Sequence, residues 1–511
     1  MNGEPIRKIV IVGGGTAGWM AAAAISRIMG TFPGLTIELV ESEAIGTVGV
    51  GEATIPQIIS FNKMLGIDEA EFVRETHATY KLGIEFVDWL RIGHRYVHPF
   101  GSYGIDMLGI DFHHFWLRGQ QAGLDIPLDE FSISAMAGKA GKFIHPRKDQ
   151  PNSPLARMAY AFQFDAGRYA RFLRQRAEAQ GVTRTEGRIV EVLQEGETGF
   201  ITGVRLENGA TVDGDLFLDC SGFRSLLLGQ TLGIGFNDWS KWLPCDRAIA
   251  MPCSLGGDNE PLTRSTAQPA GWQWRIPLQH RIGNGHVYSS AHMEDREAED
   301  ILRAGLDGDP LAEPNRIRFT AGHREKIWDK NVIALGLSGG FLEPLESTAI
   351  HLVQSGIARL MILFPSRAFN LKEIERYNRD TYADYLDIRD FLVLHYKATE
   401  RDDSEFWRYC RNLPPPDGLA EKLEMFRSSG RIIREHNELF TEASWLAVMV
   451  GQGVKASGYH PAAALLDEDE TRRRLTHIHQ TVAQTVGKMN TQDDYLAQFG
   501  GAITSPDRVR A

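Results

Sequence analysis

Apolar and polar positions alternate with two periods in this chain, and the first 60 residues show both. Lys8 to Val12 is a short β-branched run, followed by GGGTAG and then by the helix-like WMAAAAISRIM. A second β-rich run, LTIELVE, ends at Glu41. Strand, glycine turn, helix and strand in that order predict a βαβ unit. Strand-like runs return at RIVEVLQEG, FITGVRLENGATV and DLFLDCSG, between Arg188 and Gly222. The Asn208-Gly209 pair between two of them predicts a hairpin. NVIALGLSGG, from Asn331 to Gly340, predicts a further strand with a glycine end, with an apolar helix from Ser347. Arg359 to Ile433 is mostly helical by composition, Pro414 to Gly418 reads as a rigid connector, and the polar end beyond Gly500 is expected to fray. Strand ends rich in glycine are thus scattered over four hundred residues. One nucleotide-binding module assembled from separated segments explains that.

The chemistry begins at Gly13-Gly14-Gly15-Thr16-Ala17-Gly18, a G-x-G-x-x-G placed after a strand and opening a helix. Such glycines let backbone approach a pyrophosphate, which then sits on the helix N-terminus. Glu41 stands where a ribose-binding acid belongs. The late strand-glycine-helix unit, with Gly336 at its turn, favours FAD over a nicotinamide dinucleotide. There is no second G-x-G-x-x-G in the sequence, so reducing equivalents are expected from a separate protein. With 511 residues, 43% hydrophobic and 24% charged, the composition is that of a globular protein, and the net charge of −11 argues against nucleic-acid binding. Four cysteines without a Cys-x-x-Cys pair predict neither a disulfide framework nor a metal site. No signal-peptide pattern and no membrane-length apolar run is seen, which predicts a cytoplasmic protein with no membrane partner.

Four motifs then converge: GGGTAGWMAA at Gly13, GVGEATIP at Gly49, GWQWRIP at Gly271 and FLEPLEST at Phe341. Together they resemble the tryptophan halogenase family of flavin-dependent halogenases, over about Ile6 to Asp417. The resemblance implies an α/β fold. Its Rossmann-like, monooxygenase-like FAD module would occupy residues 1–95, 155–230 and 320–400. An interleaved, mostly helical substrate module would occupy 96–154, 231–319 and 401–511. It implies FAD supplied reduced by a separate NAD(P)H-dependent flavin reductase, a halide ion, a small aromatic substrate, and a possible homodimer.

By pattern alone Lys81 is a solvated lysine on a half-buried strand, with Leu82, Ile84 and Phe86 on one face. Glu346 is a carboxylate at a helix start, with Ser347 as its cap. The resemblance makes Lys81 the essential lysine that receives hypohalous acid, and Glu346 the carboxylate beside it that assists aromatic substitution. It makes Glu52, Ala53 and Thr54 an FAD-contacting loop, and Thr348 and Ala349 the halide site. An alanine at 349 would be strained there if that site needs positive φ. It places His98, Phe100 and Ser347 in the substrate pocket. Trp272 and Trp274, two apart on a strand and so on one face, would shield the flavin. The stretch from Arg431 to Gly453 lacks the cluster with which the family grips an amino-acid zwitterion. The expected substrate is therefore indole, an indole derivative or a larger tethered aromatic. A flavin hydroxylase of the same fold and a non-catalytic flavoprotein stay open.

Overall fold

The structure is a computed structural model that describes residues 3–44, 51–256 and 259–500. The first two residues of GVGEATIP, Gly49 and Val50, and the end beyond Gly500 lie outside them. The opening unit forms as the pattern demands: strand Lys8–Val12, helix Thr16–Met29, strand Thr36–Glu41. Every residue from Ile9 to Val12 is buried. This is the continuous apolar run of a parallel strand covered on both faces. The sheet has six strands, in the order Trp328–Asp329, Val332–Ala334, Leu216–Asp219, Lys8–Val12, Thr36–Glu41 and Thr183–Glu186. All its pairings are parallel except that of Trp328–Asp329 with its neighbour. The late strand of NVIALGLSGG thus completes a sheet begun three hundred residues earlier. The Asn208-Gly209 turn joins antiparallel strands Ile201–Leu206 and Thr211–Asp213.

A second sheet has seven strands: Asn315–Arg318, Arg247–Ala250, Ile282–Tyr288, Gly271–Pro277, Thr263–Gln268, Gly83–Val87 and Arg95–Pro99. The segment 231–319 thus contributes mainly strands, while most helices expected of the substrate module lie in 96–154 and 401–500. The hairpin of Gly83–Val87 with Arg95–Pro99 crosses the limit expected at residues 95 and 96. A third, small sheet orders Gly51–Ala53, Ala161–Asp165 and Thr79–Lys81.

The alternating stretch around Lys81 is not one strand. Thr79–Lys81 pairs with Ala161–Gln163, whereas Gly83–Val87 pairs with Thr263–Thr266 and with Arg95–Pro99. The chain changes sheet at Leu82, whose N–H donates to Pro261 O (2.8 Å) and whose C=O accepts from Phe100 N–H (2.7 Å). Lys81 is in consequence 0% exposed, not solvated.

Gly13 has φ +112°, and a Cβ there would lie 2.3 Å from Cys220 O. Both facts exclude a side chain where the first strand hands over to the helix. Gly13→Ala is expected to cost more than ~2 kcal/mol of stability, read as a lower urea midpoint. A midpoint unchanged from the parent would refute this account of the turn.

Candidate functional site

Two cavities are lined in part by the segment from Pro344 to Ala349. The first, of ≈ 390 Å³, is lined by the glycine loop, Glu41, Glu52, Ala53, Trp272, Trp274, Gly336, Ser347 and Ala349, among others. The second, of ≈ 630 Å³, is lined by His98, Phe100, Glu346, Phe440 and Ser444, among others. Both fall in the size range of small-molecule sites. They are called here the glycine-loop cavity and the histidine cavity.

The glycine loop fits a dinucleotide. Gly15 caps the helix Thr16–Met29, no side chain caps its first turn, and a Cβ on Gly15 would meet nothing within 4 Å. The helix therefore presents unpaired N–H groups to open space, which suits a pyrophosphate. A Cβ on Gly14 would strike the Glu41 carboxylate, so the acid closes directly over the loop. Arg184 pairs with Glu41 and orients it. Gly336, at φ +70°, brings the late strand end to within contact of Ala17. Gly13, Gly15, Thr16, Ala17, Glu41, Glu52, Ala53 and Gly336 all line the cavity, and Gly18 does not. Gly18 instead allows close packing, since a Cβ there would lie 1.9 Å from Gly13 O. Thr54 is also turned away: its hydroxyl donates to Phe162 O (2.8 Å). Burial pushes Glu52 up to about 7.

The wall between the cavities is the turn Pro344–Glu346 and the two residues after it. Glu346 faces the histidine cavity and Ser347 the glycine-loop cavity, so Ser347 does not join His98 and Phe100 as expected. Consecutive residues can face opposite ways here because Ser347 is left-handed, with φ 58° and ψ 37°. The strain anticipated at Ala349 sits at Ser347, since Ala349 is an ordinary first residue of the helix Ala349–Ile362. Nor is Ser347 a helix cap. Its hydroxyl accepts from Lys81 Nζ (2.8 Å). Thr348 precedes the helix without capping it, and its hydroxyl is buried and unpartnered. The first turn of that helix thus has no side-chain cap, and Ala349 opens it to the glycine-loop cavity.

Lys81 stands inside this wall. Its ammonium touches Ser347 on one side and lies 5.3 Å from the centre of the Phe100 ring on the other. Burial pulls its pKa from the ordinary 10.5 to about 7, and the Glu346 charge opposes this. Glu346 is itself held by two imidazoles, His98 Nδ1 (2.9 and 3.1 Å) and His395 Nε2 (2.9 Å). Burial alone would raise it, but the two histidines hold it down at about 2. Trp272 and Trp274 share one wall of the glycine-loop cavity, with ring centres 6.1 Å apart.

Sequence reasoning missed four of these supports. Glu343, the first acid of EPLE, accepts on one oxygen from Trp272 Nε1–H (2.9 Å) and Tyr396 O–H (2.5 Å), and burial pushes it up to about 7. His395 and Tyr396 are buried in the last turn of the helix Leu371–Lys397, where neither carries a motif. Gln492, 0% exposed, reaches the lysine strand from a helix near the C-terminus. Its Oε1 accepts from Tyr80 N–H (2.9 Å) and its Nε2 donates to Asn259 O (2.9 Å). Only the duplicated acid of EPLE offered a signal.

A dinucleotide cavity on a parallel sheet, walled off from an aromatic pocket, is the layout of an FAD-binding α/β protein. A family model described as tryptophan halogenase matches residues 8–468. Tryptophan 6-halogenase SttH of Streptomyces toxytricini is 34% identical over 536 residues, covering 98% of this chain and 100% of its own. Among solved structures, Xcc4156, a flavin-dependent halogenase from Xanthomonas campestris, superposes with a TM-score of 0.93. It is 46% identical over 97% of this chain and 99% of its own. BrvH, a flavin-dependent halogenase from Brevundimonas sp. BAL3, gives a TM-score of 0.93 and 45% identity at the same coverage. The chain belongs to the tryptophan halogenase family and is a flavin-dependent halogenase, which uses FAD and halide. Among the described residues no helix is long and apolar enough to cross a membrane.

Two expectations follow. Gln492→Ala leaves the buried Tyr80 N–H without a partner, at ~1–3 kcal/mol, and takes a donor from the half-buried Asn259 C=O. It should lower the denaturation midpoint and speed amide exchange at Tyr80, and unchanged exchange there would separate the helix from the lysine strand. An unfolded chain keeps Lys81 protonated to near 10.5, the folded one only to about 7. Between these values the folded state binds fewer protons, so this penalty on stability eases as pH rises. Lys81→Met should therefore stabilise the protein most at pH 6.5, and by roughly 2–3 kcal/mol less at pH 9. A gap that widens with pH would contradict the burial argument.

Proposed function

We propose that this halogenase acts on an electron-rich aromatic ring, indole or an indole derivative without a free amino-acid head. The observation that carries the reading is Lys81, buried in the wall between the cavities and touching a residue of each. FAD, reduced by a separate NAD(P)H-dependent flavin reductase, supplies with O₂ and chloride or bromide the hypohalous acid that does the chemistry. The glycine loop, Glu41, Glu52 and Ala53 hold the dinucleotide. The uncapped helix start at Thr348 and Ala349 offers N–H groups and a positive dipole end to the halide. Trp272 and Trp274 keep the aromatic substrate out of the glycine-loop cavity.

Lys81, with a pKa of about 7, can present either an ammonium donor or a free amine to hypohalous acid near neutral pH. The substrate ring packs against His98 and Phe100, within reach of the lysine. Substitution builds positive charge on that ring, and the Glu346 carboxylate next to it stabilises this charge. Three of the charged side chains that line the histidine cavity are already engaged by the protein, while Arg157 and Asp111 also line it. Lys148 donates to Ala156 O (2.6 Å) and Met158 O (3.2 Å), Glu442 accepts from Arg434 (2.8 Å), and Asp106 accepts from Phe112 N–H (2.9 Å). Burying an amino-acid head without partners costs several kcal/mol.

The test is one incubation with FAD, a flavin reductase, NADH, chloride and bromide, in which indole and free tryptophan compete, read by mass spectrometry. Halogenated indole is expected. Halogenated tryptophan alone would overturn the substrate assignment, and a product bearing only an added oxygen would make the enzyme a hydroxylase. Lys81→Ala should abolish halogenation and leave FAD binding intact; retained halogenation would remove Lys81 from the mechanism.

A further inference from the structure

His395 is 0% exposed and lies four residues after Phe391 in the helix Leu371–Lys397. Its two ring nitrogens both face oxygen. Nδ1 is 2.8 Å from the Phe391 carbonyl, and Nε2 is 2.9 Å from Glu346 Oε1. A carbonyl and a carboxylate only accept, and a neutral imidazole carries one N–H. Either neutral tautomer would leave one nitrogen lone pair pressed against an oxygen lone pair, at a buried position. Two ring protons satisfy both contacts.

The other way to place the proton puts it on Glu346. The geometry disfavours this. His98 Nδ1 lies 3.1 Å from Oε1 and 2.9 Å from Oε2, so this ring nitrogen sits across both oxygens. Oε1 stands between two ring nitrogens, and an O–H there could serve only one of them. We propose that His395 is a buried imidazolium and a positioning residue: it keeps Glu346 ionised, so that the carboxylate meets the substrate ring as a fixed anion. The proposal rests on the role given above to Glu346.

The surroundings are consistent with one compensated pair. The His395 ring packs against Phe86, Trp89 and Phe391. The titratable groups that face the pair are few. His98 and Tyr96 come from the strand Arg95–Pro99, and burial keeps the Tyr96 phenol protonated. Lys81 reaches the same turn through Ser347. Glu343, on that turn, is occupied by Trp272 and Tyr396. Burial is the main influence on the Lys81 ammonium, and the Glu346 charge opposes it.

The experiment uses the cofactor-free full chain, labelled with ¹⁵N-histidine, in NMR from pH 6 to 9. One histidine should show both ring nitrogens protonated over the whole range. Its signals should vanish in His395→Gln and change to a neutral ring in Glu346→Gln. A lone-pair nitrogen signal for His395 at pH 7 would overturn the proposal. If His395→Gln does not fold, the parent and Glu346→Gln spectra alone decide the protonation state. With substrate, His395→Gln should lower kcat about tenfold or more while KM stays nearly unchanged. Failure of the halogenase reading would appear separately, as absence of halogenated product with the histidine signals as expected.

Discussion

Everything at this site depends on burying one ammonium. A lysine side chain taken wholly out of water loses several kcal/mol of hydration, and the fold returns only part of it. Lys81 has one neutral hydrogen-bond partner, Ser347, and a carboxylate on the adjacent residue. The remaining cost appears as a pKa drawn down to about 7. The same burial that makes the residue expensive puts it between a dinucleotide cavity and an aromatic one. A solvated lysine could not separate the two.

The wall around it is built from strain and paired charge. Ser347 holds a left-handed backbone, a conformation that costs on the order of 1–3 kcal/mol away from glycine. That single residue lets Glu346 and Ser347 look into different cavities. Glu343 and Glu346, three apart, are anchored in opposite ways. Glu343 takes neutral donors from an indole and a phenol, and Glu346 takes two imidazoles. Burial therefore raises the first acid, while the histidines depress the second despite burial. Two glutamates on one turn are thus displaced in opposite directions from the ordinary carboxylate range.

The fold explains why the supporting residues are so far apart in sequence. The lysine strand Thr79–Lys81 is three residues long, and its outer edge would be bare without Gln492. Glu346 would lose one of its two N–H donors without a helix that ends at Lys397. Each contact is a buried polar pairing, and a buried polar group left unpaired is costly. These pairings tie the C-terminal helices to an active site whose motifs all lie in the first 350 residues.

Local pattern was enough for what short segments decide alone. The strand Lys8–Val12, the glycine turn, the helix after it and the Asn208-Gly209 hairpin follow from periodicity and turn chemistry, because each is stabilised by near neighbours in the chain. The motifs pointed to Lys81, Glu346 and the tryptophan pair as candidates. The sheet change at Leu82 and the burial of Lys81 were decided by pairings with Pro261, Phe100 and Ala161, which no local window contains. The roles of His395, Glu343 and Gln492 were equally hidden. A histidine or glutamine inside a helical pattern looks the same whether it meets water or a buried carboxylate, and only tertiary packing chooses its partner and, with it, its charge.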